Sequence, residues 1–220
     1  EIVARMKREG HLSARIHMRS TMTIAQGAKR AGQMVTAHLP LPMEYAQVKR
    51  FHLLSCSHPD AIVAPGDFPQ RTICFRAVPD RPFTVEYTYE THMQYADPDP
   101  ALVCDQQPTF YTEEYAPHMT FTPYLRMLAR EIVGDEKNPL RKARRIYDFI
   151  TTKVTYCYMR AYMTMPNVSE YAAACMKGDC GVQALLFITL CRIAGVPARW
   201  QSGLEVSPLD VGSHDWAQFY

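Results

Sequence analysis

The hydrophobic pattern of this 220-residue chain changes period once, near residue 120, and that change limits the folds open to it. Before it, apolar and polar residues alternate, the repeat of a half-buried strand. Phe83, Val85, Tyr87 and Tyr89 lie on one face of residues 83–95, with Thr84, Glu86, Thr88 and Glu90 on the other. Strands are also predicted over 14–23, 34–39, 47–54 and 70–77, the last with Ile73 and Phe75 set against Arg71 and Arg76. Pro40-Leu41-Pro42 and Asp97-Pro98-Asp99-Pro100 interrupt the pattern where turns belong. Short strands at this spacing predict an antiparallel sandwich.

After residue 120 the apolar residues recur at helical spacing. Thr122-Pro123 and Asn138-Pro139 each pair a capping side chain with a proline at the first helical position. The first helix then places Tyr124, Leu125, Leu128 and Ile132 on one face and ends at Gly134. The second carries Leu140, Ala143, Tyr147, Ile150 and Val154 as its stripe, with Arg141, Lys142, Arg144 and Arg145 on a solvated face. A third helix starts after Gly178-Asp179 and runs to about Ala194 before Gly195 and Pro197. It is apolar on nearly every side, so it belongs at the centre of its domain. Strands over 196–204 and 214–220, joined by a turn-rich loop over 207–213, complete the pattern. The division expected is 1–118 for a β-domain and 119–220 for a helix-plus-sheet domain.

Cys180 falls in the first turn of that buried helix. The positive end of the helix dipole and the unpaired N–H groups there favour thiolate, the nucleophilic form. Gly178 and Gly181 leave room for a substrate, and the Cys180 backbone N–H is placed to face an oxyanion. Gly-Asp-Cys-Gly at a helix start is not a core pattern, whereas Cys191, deep in the same helix, reads as structural. His214 follows Cys180 by 34 positions, at the loop end of the last strand. An imidazole returning beside the helix start would take the thiol proton and later give it to the leaving group. Tyr156, Trp200 and Trp216 are candidates for an oxyanion or substrate cleft, though core packing is the commoner role for such aromatic residues.

The run Gly178-Asp179-Cys180-Gly181, Phe187, Leu190-Cys191-Arg192-Ile193-Ala194-Gly195-Val196-Pro197-Ala198-Arg199, then Gly203 and His214-Asp215-Trp216-Ala217 with Tyr220, resembles the transglutaminase-like superfamily of papain-type cysteine enzymes. The resemblance covers roughly residues 140–220 and includes Val154-Thr155-Tyr156. It implies an α+β chain, in which an antiparallel β-sandwich-like domain, as in many bacterial members, precedes a papain-like core of a central helix packed on an antiparallel sheet. It implies Cys180 as nucleophile and His214 as base and acid. It also implies a third residue, an Asp on the strand after the His strand. The chain stops at Tyr220 before such a strand, so the core is expected to be C-terminally incomplete. Asp215 neighbours His214 along a strand and so points to the opposite face. Losing a triad acid can cost about 10⁴-fold in rate.

Two functions follow from these residues. One is cysteine-dependent acyl transfer on a peptide or protein substrate, with peptidase or amidase hydrolysis favoured over transamidation. The other is a non-catalytic binding or scaffold protein that keeps the fold without the third acid. Composition narrows the partners. A net charge of +2 gives no reason to expect nucleic acid, and no apolar run reaches the ~18 residues of a membrane span. Hydrophobic residues at 47% and charged residues at 21% argue against disorder. Seven cysteines without CxxC spacing argue against a disulfide framework and for a reducing, cytoplasmic compartment. Cys175, Cys180 and His214 lack zinc-site spacing, and no calcium-loop pattern is present, so no metal or other cofactor is expected.

Overall fold

The alternating part of the chain folds as strands around its own core. In a computed structural model describing residues 1–104, 106–207 and 209–220, residues Glu1–Asp97 form one unit and Pro98–Tyr220 a second. In the first, helix α1 (Ile2–Glu9) ends at Gly10, whose φ of 76° is the left-handed conformation that glycine adopts freely. It leads into β1 (His11–Met22), β2 (Val35–Pro40), β3 (Val48–Cys56), β4 (Ile62–Val63), β5 (Thr72–Ala77) and β6 (Phe83–Gln94). They make two antiparallel sheets, in the orders β1-β6-β3 and β2-β5-β4.

The interior is the alternating set. Phe83, Val85 and Tyr87 of β6 are buried, as are Ile73 and Phe75 of β5 and Ala37 and Leu39 of β2. The Phe75 and Phe83 rings meet 5.4 Å apart across the two sheets, which is how a sandwich closes. Arg71 departs from the expectation. It has the parity of Ile73 and Phe75, so it enters the interior and is only 7% exposed. Its guanidinium donates to the carbonyls of Ala64 (3.1 Å) and Pro42 (3.0 Å), pairs with Glu44 (3.1 Å) and lies over the Phe51 ring. A buried charge is tolerated because every side of it is met.

The second unit contains α2 (Pro123–Val133), α3 (Pro139–Lys153), β7 (Thr155–Tyr156), α4 (Val168–Cys175), β8 (Lys177–Gly178), α5 (Cys180–Ile193), β9 (Ala198–Val206) and β10 (Val211–Phe219). The Thr122 hydroxyl accepts from Leu125 N and the Asn138 amide oxygen from Arg141 N, so both expected caps form. Each cap is worth about 1 kcal/mol. Ile146, not Tyr147, completes the inner stripe of α3, and Tyr147 is 53% exposed. The basic face of α3 is partly used: Lys142 donates to Ala194 O at the end of α5, and Arg145 to Val133 O at the end of α2, satisfying carbonyls that helix ends leave open.

Helix α5 is the centre of this unit. Val182, Leu186, Ile188, Leu190 and Cys191 are fully buried, and α2, α3, α4 and the β9–β10 hairpin surround them. Ser169 of α4 ties this packing together. Its hydroxyl lies 2.7 Å from His118 O, 3.1 Å from Leu185 O and 2.8 Å from the Thr189 hydroxyl. The segment before α2 packs here as well: Ala198 N donates to Tyr111 O, and Arg192 donates to Glu113 O. Tyr111 and Glu113 thus pack with the second unit. The expected loop over 207–213 includes Pro208, which lies outside the described residues, and β10 already begins at Val211.

Candidate active site

The site is built where three short pieces of chain meet the start of α5. The Asp179 carboxylate caps the helix, accepting from Val182 N at 3.1 Å. Gly178, just before it, is buried where any Cβ would overlap the Val182 side chain, so the chain can approach the helix only with glycine there. Strands β7 and β8 pair in parallel, Tyr156 opposite Gly178, and Cys157 N donates to Gly178 O. That pairing sets Tyr156 beside the start of α5, near enough to Cys180 to feel its charge. Desolvation first, and then the thiol, raise the phenol above the ordinary tyrosine range, so it stays a neutral donor.

A second tyrosine covers the helix start from the other side. Tyr162 opens a 3-10 turn, Tyr162–Thr164, and its hydroxyl donates to Asp179 Oδ1. Its ring and Trp200 of β9 leave no room at Gly181: an added Cβ would strike the Tyr162 hydroxyl and stand 2.9 Å from Trp200 Cη2. Burial and the Asp179 carboxylate push the Tyr162 phenol far above its usual range. No sequence signal marked Tyr162. Its position in an irregular segment between β7 and α4 carries no periodicity, and only the close fit to Gly181 reveals it.

The hairpin decides which β10 side chains reach the helix. Asp215 pairs with Ser202, Ala217 with Trp200 and His214 with Gly203. Paired residues share a face. Trp200, Asp215 and Ala217 therefore face α5, as does Phe219, whose ring meets Phe187 of α5 at 5.9 Å. The thiol of Cys180 donates to Asp215 Oδ2 at 4.0 Å, the long limit for sulfur. His214 lies on the other face with Trp216, their rings 6.4 Å apart, and Trp216 covers Gly203. The structure thus brings Cys180, Tyr156 and Trp200 together, adds Asp179, Tyr162 and Asp215, and leaves His214 and Trp216 across the strand. Among the described residues no three His, Cys, Asp or Glu side chains are disposed to hold a metal ion.

With this geometry in place, comparison with known proteins is informative. Residues 126–220 match the profile described as the transglutaminase-like superfamily. This part of the chain, 126–220, is similar to that superfamily. The match takes in α5, both tyrosines and the whole β9–β10 hairpin. The chain is also similar in structure to a candidate cysteine protease from Cytophaga hutchinsonii, at 18% identity and a TM-score of 0.64, over 96% of this chain and 75% of the other. A further similarity is to the periplasmic domain of TgpA from Pseudomonas aeruginosa, at 15% identity and a TM-score of 0.44, over 99% of this chain and 86% of the other. No curated protein matches the chain. The likeness to the Cytophaga hutchinsonii structure shows a shared fold, and no helix among the described residues is long and apolar enough to cross a membrane.

Proposed function

We propose that this protein catalyses cysteine-dependent acyl transfer at a peptide or carboxamide bond, with hydrolysis as the outcome. The observation that carries the reading is Cys180 at the capped start of a buried central helix, partly exposed between two neutral tyrosine hydroxyls. Cys180 Sγ attacks the carbonyl carbon, the carbonyl oxygen takes the electron pair, and the Cys180 N–H and the Tyr156 hydroxyl donate to it. His214 takes the thiol proton and returns it to the leaving amine. Water then attacks the thioester, giving the acid and the free thiol. A peptide or protein chain suits the partly exposed thiol and the aromatic wall of Trp200.

For His214 to act, its ring must reach the helix side of β10. The pairing of β10 with β9 is continuous through His214↔Gly203 and Asp215↔Ser202, so this role requires a one-residue change of register at 214–215, the local change that a β-bulge produces. The Asp215–Cys180 contact favours the second reading, a binding protein of the same fold, because a carboxylate beside a thiol opposes the thiolate.

Peptide release from dye-labelled casein and ammonia release from a glutamine-containing peptide test the proposal. Cys180→Ala is expected to abolish turnover with the fold intact, and His214→Ala to reduce it by orders of magnitude. Turnover that survives Cys180→Ala overturns the acyl-transfer reading. A wild-type protein inactive on both substrates favours the binding reading.

A further inference from the structure

We propose that Tyr162 is a positioning residue for the Cys180 nucleophile: its hydroxyl donates to the Asp179 carboxylate and so blunts a negative charge held one residue from the thiol. The proposal rests on the acyl-transfer reading above. Asp179 cannot be dispensed with, because its side chain caps α5. Yet the carboxylate that caps the helix also stands beside Cys180, where its charge opposes formation of the thiolate. The helix dipole favours the thiolate by only about 0.3–1 kcal/mol at an exposed end. One adjacent carboxylate is enough to cancel that. Asp179 Oδ1 accepts from two donors, Val182 N and the Tyr162 hydroxyl, and the second is the one that an ordinary helix cap lacks.

The titratable groups facing Cys180 are Asp179 at its own helix cap, Asp215 from β10, Tyr156 from β7 and Tyr162 from the 3-10 turn. None of the four is an imidazole or carries a positive charge. Two are carboxylates, and the two phenols are the only neutral donors among them. Gly181 makes the arrangement possible, because with any larger residue the Tyr162 hydroxyl could not lie where it does.

The test is site-resolved alkylation by iodoacetamide as a function of pH, read on Cys180, with exposed Cys104 as the internal reference. Tyr162→Phe keeps the ring over Gly181 and removes only the hydroxyl. It is expected to move the half-maximal pH of Cys180 alkylation up by about half a unit to one unit, a three- to tenfold slower reaction at pH 6.5. In an Asp179→Asn background the same change is expected to have no effect, because the tyrosine acts through that carboxylate. An unmoved profile in Tyr162→Phe, or an equal shift in both backgrounds, overturns the proposal. The readout needs no turnover, so a protein inactive on every substrate defeats the acyl-transfer reading and leaves this test in force. A loss of turnover without a change in alkylation defeats the role of Tyr162 alone.

Discussion

Replacing Gly181 by alanine sets two effects of known size against each other. Glycine inside a helix is about 1 kcal/mol less favourable than alanine, so on propensity alone Gly181→Ala stabilises α5. The added Cβ meets the Tyr162 hydroxyl and stands 2.9 Å from Trp200 Cη2. Overpacking of this kind costs about 1–3 kcal/mol. The tyrosine can move aside only by giving up its bond to Asp179, and a hydrogen bond to a charged group is worth about 1.5–3 kcal/mol. The costs exceed the gain, leaving a net loss of about 1.5–5 kcal/mol. With a urea dependence near 2 kcal/mol per molar, the unfolding midpoint falls by about 0.8–2.5 M. Both tryptophans, Trp200 and Trp216, lie in the second unit, so tryptophan fluorescence reports on this unit alone. In a Tyr162→Ala background, where part of the obstruction is gone, the same substitution should cost less. A Gly181→Ala protein that unfolds at the same or a higher urea concentration than the wild type would refute the reasoning.

Ser169→Ala removes the partner of the buried Thr189 hydroxyl and leaves the His118 carbonyl with the Ser169 N–H alone, and is expected to cost about 1–3 kcal/mol in the same fluorescence assay; no change would contradict that role. Glu136 accepts from the backbone N–H groups of Asn138 and Lys137 and pairs with Arg145, and the Asn138 N–H contributes most to holding its carboxyl below the usual value of 4.5. Its folded form favours the charge, so its stabilisation is complete above about pH 4.5 and is lost as pH falls through the lower folded value. Glu136→Gln should therefore narrow the difference between urea midpoints at pH 6 and pH 3, and an unchanged difference would contradict that role.

Much of this structure was legible in the sequence where one physical signal dominated. Alternation located five strands of the first unit, most plainly β2, β5 and β6, where alternate side chains are buried, while β1 and β3 are largely exposed. Thr122, Asn138 and Asp179 located three helix starts because a short polar side chain before an apolar stripe has few other uses. The two-residue strands β7 and β8 are too short for any periodicity, and α1 has no buried face to generate one. Arg71 was set outward because charge was weighed above parity, although the interior supplies it with carbonyls, a carboxylate and an aromatic ring. The orientation of β10 was hidden for a different reason. Ala217 and Phe219 on one face and Trp216 on the other are all apolar, so hydrophobicity could not tell which face meets α5. Alternation did separate His214 from Asp215, and tertiary packing placed the carboxylate toward the thiol.

The central claim is that Cys180 is a nucleophile set apart from the other thiols by its place at the start of α5. Site-resolved iodoacetamide labelling of the native protein at pH 6 measures this directly. The exposed thiols Cys104 and Cys175 supply the background rate in the same sample. Cys191, fully buried and with burial raising its pKa, should label only on unfolding. The account predicts that Cys180 labels at least about tenfold faster than Cys104 and Cys175. Labelling of Cys180 no faster than these two, in the folded protein, would contradict it.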